Sequence, residues 1–265
     1  MGNNDKYAVV TGASSGIGWH ISKELARRGY SIVAVSNQAL QLQDLKTTLE
    51  KTCPINVLTF ETDLSQEDSA TGVFNFCRDK NLAVDVLVND AGMFVFGEVT
   101  RIDYARVRSI ISLHMLTPVL LCRLFGEQMA IKGKGYILNL SSITAVMPYP
   151  GISLYASSKA FISHFTRALR SEMKLDNVSV TCLIPGAADT SLYDRGNINT
   201  SLLKKLGLMK DPEAVAKAGV RALLRNRAVC IPGFINKITV LLLPLIPRFI
   251  IEVITRKTNI IRKRK

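Results

Sequence analysis

The sequence predicts an α/β domain built on a mostly parallel sheet with helices on both faces. Two observations carry this prediction. Short apolar runs alternate with amphipathic segments along the chain, and strands buried on both faces read as such continuous apolar runs. A cluster of glycines stands between the first apolar run and the first amphipathic segment. The 265 residues carry no internal repeat, low-complexity tract or linker that would divide them, and that length suits one large domain.

The elements follow in order. "YAVVTG" (7–12) is a buried strand. "GWHISKELARRG" (18–29) is a helix with Ile21, Leu25 and Ala26 on one face, and Gly29 stops it. "SIVAVS" (31–36) is the next strand and "QALQLQDLKTTLEK" (38–51) the next helix. "INVLTFETD" (55–63) and "VDVLVNDAG" (84–92) are strands separated by a helix near 66–80. One long helix covers about 101–131. "GYILNLSS" (135–142) is a strand, "SLYASSKAFISHFTRALRSEMK" (153–174) a helix and "VSVTCLIPG" (178–186) a strand. "DPEAVAKAGVRALLRN" (211–226) is a helix capped by Asp211, with Pro212 in its first turn. "AVCIPG" (228–233) closes the series as a short strand. About seven strands result. Residues 1–233 form the domain, with an irregular segment at about 191–210, and residues 234–265 form an apolar-then-basic extension.

Apolar residues make up 48% of the chain and charged residues 21%, which provides for a sizeable core and excludes a disordered chain. The formal net charge is +13, an excess that attracts anionic partners. Much of it sits in "TRKTNIIRKRK", which has six basic residues and no acidic one. Together with "ITVLLLPLIP" before it, this tail suits peripheral contact with an anionic membrane; a packed helix with a solvated tail is the alternative. Nucleic acid is not an expected partner, because no recognition motif accompanies the basic tail. No apolar stretch reaches the roughly 18 residues of a membrane span, and "MGNNDKYAVV" lacks the regions of a signal peptide. The five cysteines form no CxxC pair, as expected of reduced thiols in a cytoplasmic protein.

The glycine cluster, "VVTGASSGIG", places Gly12, Gly16 and Gly18 between a strand and a helix. Glycines there let the backbone turn tightly and approach a pyrophosphate, and the helix N-terminus supplies free N–H groups at its positive end. The turn therefore marks a dinucleotide site of Rossmann type, with Ser14, Ser15 and Ile17 between the glycines. An acid at the end of the second strand would bind the ribose 2′-OH of NAD; Ser36 and Asn37 stand there instead. Their hydroxyl and amide suit a 2′-phosphate, so NADP(H) is expected over NAD(H).

Tyr155 and Lys159 are four apart on a helix and share one face. An ammonium near a phenol favours the phenolate and lowers a pKa that starts near about 10, which would let the tyrosine act as acid and base near neutrality. Ser142 ends a strand thirteen positions earlier, where a hydroxyl can hold a substrate oxygen. Among apolar residues, Met93 to Phe96, Met147, Pro148, Tyr149, Leu192, Tyr193 and Leu202 suit a hydrophobic substrate.

With these residues in order, the chain resembles the short-chain dehydrogenase/reductase family. Thr11 to Gly18 matches its TGxxxGxG turn. Asp63-Leu64 matches the adenine-contacting Asp. Asn89-Asp90-Ala91-Gly92 matches NNAG, with Asp90 replacing the second Asn. Ser142, Tyr155 and Lys159 match the catalytic set, and Pro185, Gly186 and Thr190 match the PGxxxT loop beside the nicotinamide. The resemblance implies an oxidoreductase acting on a ketone or secondary alcohol, nearest in look to the branch reducing 3-oxoacyl chains, keto-sphingoid bases and steroids. It also implies a homodimer or homotetramer, and a second contact of Lys159 with the nicotinamide ribose. The alternative function is a non-catalytic dinucleotide sensor or membrane-associated scaffold on the same fold. One position departs again: where the family carries an asparagine that helps hold a proton-relaying water, this chain has His114. An imidazole there is expected either to replace the relay, titrating near neutrality, or merely to pack.

Overall fold

The computed structural model describes residues 6–188 and 209–247; Thr190, the segment 191–208 and the basic end of the tail lie outside the described residues. The chain runs β1 (Lys6–Thr11), α1 (Gly16–Ala26), β2 (Ser31–Ser36), α2 (Ala39–Thr52), β3 (Val57–Glu61), α3 (Ser69–Asp79) and β4 (Ala83–Asn89). It continues with α4 (Tyr104–Ile111), a π turn at Ser112–Leu116, α5 (Thr117–Lys132), β5 (Gly135–Leu140), α6 (Ser153–Glu172) and β6 (Val178–Leu183). The last described elements are β7 (Ala187–Ala188), β8 (Met209–Lys210), α7 (Pro212–Leu224), β9 (Val229–Cys230) and α8 (Phe234–Leu242).

Seven strands form one parallel sheet in the order β3-β2-β1-β4-β5-β6-β9, and β7 pairs with β8 beside it. Successive side chains of β1 alternate between the faces. Ala8 and Val10 join Leu25 of α1, Leu45 of α2 and Val220 of α7. Tyr7 and Val9 join Val73 of α3, Phe125 of α5 and Met173 on the opposite face. The strand order reverses between β1 and β4, and at such a switch point the C-terminal ends of the strands open a crevice. The doubly wound fold expected from the alternation is the fold observed.

The long helix expected at 101–131 starts at Tyr104, because Asp103 accepts hydrogen bonds from the N–H groups of Ala105 (2.9 Å) and Arg106 (3.3 Å) as an N-cap does. One sequence expectation needs correction: the helix Tyr104–Lys132 is long and apolar enough to cross a membrane by length and composition. It serves instead as a core helix, with Ile110, Leu121, Phe125 and Met129 buried. Its backbone widens into the π turn at Ser112–Leu116. π turns recur at functional sites, and His114 lies in this one. The last sheet strand is shorter than "AVCIPG" suggests, since only Val229 and Cys230 pair with β6.

Candidate active site

The crevice at the switch point is a cleft of about 660 Å³, within the range of small-molecule sites. Its floor is the turn after β1. Gly12 has φ +69, and a Cβ there would come within 2.9 Å of the Ala91 backbone; only glycine lets this turn close onto the end of β4. Thr11 Oγ1 completes the junction, accepting from the N–H groups of Asp90 (3.1 Å) and Ala91 (3.2 Å) and donating to Val88 O (3.2 Å). Gly18 sits one turn into α1, where a Cβ would clash with Gly12 O and lie 2.5 Å from Asp90 Oδ2. The first turn of α1 therefore faces the cleft beside Ser14, Ser15, Gly16 and Ile17.

At the end of β2, Ser14 Oγ and Ser36 Oγ lie 2.8 Å apart. Ser36, Asn37 and Gln38 line this end of the cleft, and none carries a negative charge. Asp63 turns its carboxylate to its own loop, accepting from Ser65 N–H (2.9 Å) and Gln66 Nε2 (3.3 Å). Burial pushes this carboxyl up, but these hydrogen bonds outweigh it and hold it below the ordinary carboxylate range. Leu64 is pinned by Thr117 Oγ1, which donates to its carbonyl (2.7 Å). The cradle thus fits a dinucleotide: a glycine-floored helix start for a pyrophosphate, and neutral polar groups where an adenosine ribose would lie.

The other side of the cleft brings Ser142, Tyr155 and Lys159 together, each nearly buried. The loop after β5 is tied to β6 by Ser141 N–H donating to Leu183 O (2.8 Å) and Ile143 N–H donating to Pro185 O (3.0 Å). Ser141 Oγ donates to the Lys159 carbonyl (2.7 Å), which locks this loop to α6. Lys159 Nζ donates to Leu140 O (3.1 Å) and lies 5.8 Å from the Tyr155 ring centroid. Burial lowers the Lys159 ammonium to about 8, and the charge of Asp90 opposes that fall. Phe94 packs edge-on against Tyr155 at 5.0 Å. Ala91, Gly92, Pro185 and Gly186 complete the lining.

Two expected residues stand elsewhere. Asn89 lies beneath the cleft, where its Nδ2 donates to Asn139 Oδ1 (2.8 Å) and so bridges β4 to β5. His114 is buried behind Gly92, and its environment corrects the expectation that it titrates near neutrality. Met93 N–H donates to Nε2 (2.9 Å). Nδ1 lies 2.8 Å from Ser158 Oγ, whose own hydrogen goes to Tyr155 O (2.8 Å). A backbone N–H can only donate, so Nε2 is unprotonated and Nδ1 carries the hydrogen. Burial, reinforced by the charge of Lys159, holds the imidazole well below its ordinary pKa. Sequence reasoning missed Ser158 and the full role of Thr11; the hydroxyl beside Lys159 and the threonine opening the glycine motif were the available signals. Among the described residues no group of side chains could hold a metal ion. Three thiols are held protonated, since burial raises Cys77 and Cys122 to about 12 and Cys182 to about 11.

The family model described as short chain dehydrogenase matches residues 6–199. The chain belongs to the short-chain dehydrogenase/reductase family. It is 32% identical over 204 residues to 17-beta-hydroxysteroid dehydrogenase type 3 of Homo sapiens, covering 76% of this chain and 64% of that protein. It is 32% identical over 200 residues to very-long-chain 3-oxoacyl-CoA reductase-A of Danio rerio, covering 70% of this chain and 61% of that one. The chain thus matches less than two thirds of the length of either relative. Among solved structures, a short-chain dehydrogenase from Sphingobium yanoikuyae in complex with NADPH superposes with a TM-score of 0.80 at 25% identity, covering 87% of this chain and 88% of that one.

His114 gives a spectroscopic prediction. Its nitrogen NMR signals are expected to show the Nδ1–H tautomer and no protonation at the ordinary imidazole pKa, since burial lowers it. The lowered folded pKa also makes this residue a liability in acid. The unfolded chain takes up the proton below about 6.5 and the fold does not, so its contribution to stability falls as pH drops through that value. An imidazole that titrates near neutrality would refute the assignment.

Proposed function

We propose that the chain is an NADP(H)-dependent oxidoreductase that transfers hydride between the nicotinamide and a hydrophobic ketone or its secondary alcohol. The observation that carries this reading is the convergence of Ser142, Tyr155 and Lys159 on the cleft floored by the Gly12 turn. A sensor or scaffold has no use for a buried lysine and tyrosine beside a dinucleotide cradle.

The Gly12–Gly18 turn would hold the pyrophosphate, Asp63 and Leu64 the adenine end, and Pro185, Gly186 and Thr190 the nicotinamide end. The bound dinucleotide supplies the hydride. In the reducing direction, the Tyr155 hydroxyl gives its proton to the carbonyl oxygen while the Ser142 hydroxyl hydrogen-bonds the same oxygen. The Lys159 ammonium stabilises the phenolate that remains and would also contact the ribose. His114 acts here as a neutral positioning residue, tying Met93 to the catalytic helix through Ser158. Met93 and Phe94 form an apolar wall of the cleft, which favours a 3-oxoacyl, keto-sphingoid or steroid-like substrate over a sugar. NADP(H) is favoured over NAD(H) because Ser36, Asn37 and Gln38 present no carboxylate to repel a 2′-phosphate.

Two partner surfaces belong to the same reading. Ile111 and Leu116 on the long helix and Phe161 on α6 are exposed apolar residues, suited to a homodimer or homotetramer built on these helices. Phe234, Ile238, Leu241, Leu242 and Leu245 share one face of α8 and its continuation, with Phe234 77% and Leu241 72% exposed. That apolar face precedes the basic tail, a combination suited to a cytoplasmic enzyme peripheral at an anionic membrane. Residues 1–233 would then be the catalytic domain and 234–265 the contact segment.

Three outcomes are expected. Tyr155→Phe should lower kcat with a hydrophobic ketone by about 10²–10⁴-fold, with NADPH affinity kept in a fluorescence titration; turnover retained by the variant would remove Tyr155 from the reaction. Wild type should bind NADPH more tightly than NADH, and Asn37→Asp should reverse that order. Sedimentation with anionic vesicles should capture wild type and lose the Phe234→Ser/Leu241→Ser variant, with neutral vesicles capturing neither; equal capture of wild type and variant would exclude the α8 face.

A further inference from the structure

α8 opens the segment after Gly233, and its large apolar side chains face outward: Phe234, Ile238, Leu241 and Leu242 are all exposed. Asn236 is the one buried residue of this helix, 1% exposed. Helical spacing puts it on the side opposite Phe234, Ile238 and Leu241. Its Nδ2 donates to Pro232 O (2.7 Å), across the start of the helix. Its Oδ1 is buried with no hydrogen-bond partner among the described residues. A carboxamide with an idle acceptor is worth less to the fold than an apolar side chain of the same shape, so burial alone does not account for it.

The carboxamide rests on Gly186. A Cβ at Gly186 would lie 2.6 Å from Asn236 Nδ2, 2.6 Å from Oδ1 and 2.8 Å from Cγ, well inside packing distance. Gly186 is not among the glycines with positive φ, so its backbone does not call for glycine. The helix does, because Asn236 fills the space a side chain would take. Gly186 also lines the cleft, and a single thickness of backbone therefore stands between α8 and the cleft. The same loop is tied to the serine side of the site, since Ile143 N–H donates to Pro185 O (3.0 Å). α8 also packs on the turn Ile143–Val146, which follows Ser142.

We propose that Asn236 is a positioning residue of the active site. Its carboxamide braces the Pro185–Gly186 loop from behind and sets how far that loop stands into the cleft. The helix whose outer face suits a membrane thereby serves the cleft with its inner face. The inference rests on the reading of this loop as the nicotinamide end, and the experiment separates the two.

Asn236→Ala removes the three atoms that crowd Gly186, and its effect is expected at one end of the cofactor only. By calorimetric titration, NADPH affinity should fall by about tenfold, the scale of coupling between residues in contact. Affinity for 2′-phospho-ADP-ribose, which lacks the nicotinamide, should stay at the wild-type value. Equal losses for both ligands, or no loss for NADPH, overturn the proposal. Gly186→Ala drives a methyl into the carboxamide and should weaken NADPH binding too. Adding Asn236→Ala should restore part of that loss, because the methyl then takes the place the carboxamide left. A Gly186→Ala protein with wild-type affinity, or a double variant no better than it, overturns the proposal as well. If wild type binds no NADPH, the oxidoreductase reading fails by itself. Hydrogen exchange at the amides of Gly186 and Ala187 should still be faster in Asn236→Ala than in wild type, and unchanged exchange there overturns the brace.

Discussion

The contact between the turn after β1 and the end of β4 is the constraint on which the rest of the site depends. Thr11 Oγ1 takes two backbone N–H groups from the chain leaving β4, and Gly12 leaves no side chain between the two backbones. That closeness sets the start of α1 over the sheet's C-terminal edge, at the one place where the strand order reverses. It also fixes the segment Asp90–Met93, and through it the wall behind Lys159. A bulkier residue at position 12 would separate the dinucleotide cradle from the catalytic side of the cleft, although none of the catalytic side chains would itself be altered.

The catalytic side is held by three polar residues that each have a hydrogen-bond partner. Ser141 ties the β5 loop to α6, Lys159 reaches back to β5, and Ser158 closes the first turn of α6. Buried polar networks of this kind are rigid when every member has a partner. Rigidity has a use here, because proton transfer between an oxygen and a hydroxyl requires heavy atoms within hydrogen-bond reach.

Most of the fold was legible because strands buried on both faces carry a continuous apolar run, as Ile32–Val35 does within "SIVAVS". The glycine turn was legible for a similar reason: backbone approach allows few alternatives at positions 12 and 18. The charge state of His114 was not legible. It depends on Met93 N–H and Ser158 Oγ meeting the ring from two other elements, and on a π turn that helical periodicity does not encode. The bridging role of Asn89 was equally hidden, because a motif gives a sequence address, whereas the side chain reaches across to Asn139 of the next strand. The membrane-length stretch at Tyr104–Lys132 was not legible because Arg106, Arg108 and Arg123 interrupt its apolar run.

The string Met93 N–H, His114, Ser158, Tyr155 O has a further property. It begins at an amide that can only give a hydrogen and ends at a carbonyl that can only receive one. Every link between them is therefore oriented the same way, and none can turn round. A hopping proton needs a wire whose bonds can flip after each passage, and this one cannot. It is an insulator laid along the back of the catalytic helix, so a proton exchanged at Tyr155 does not leave through His114.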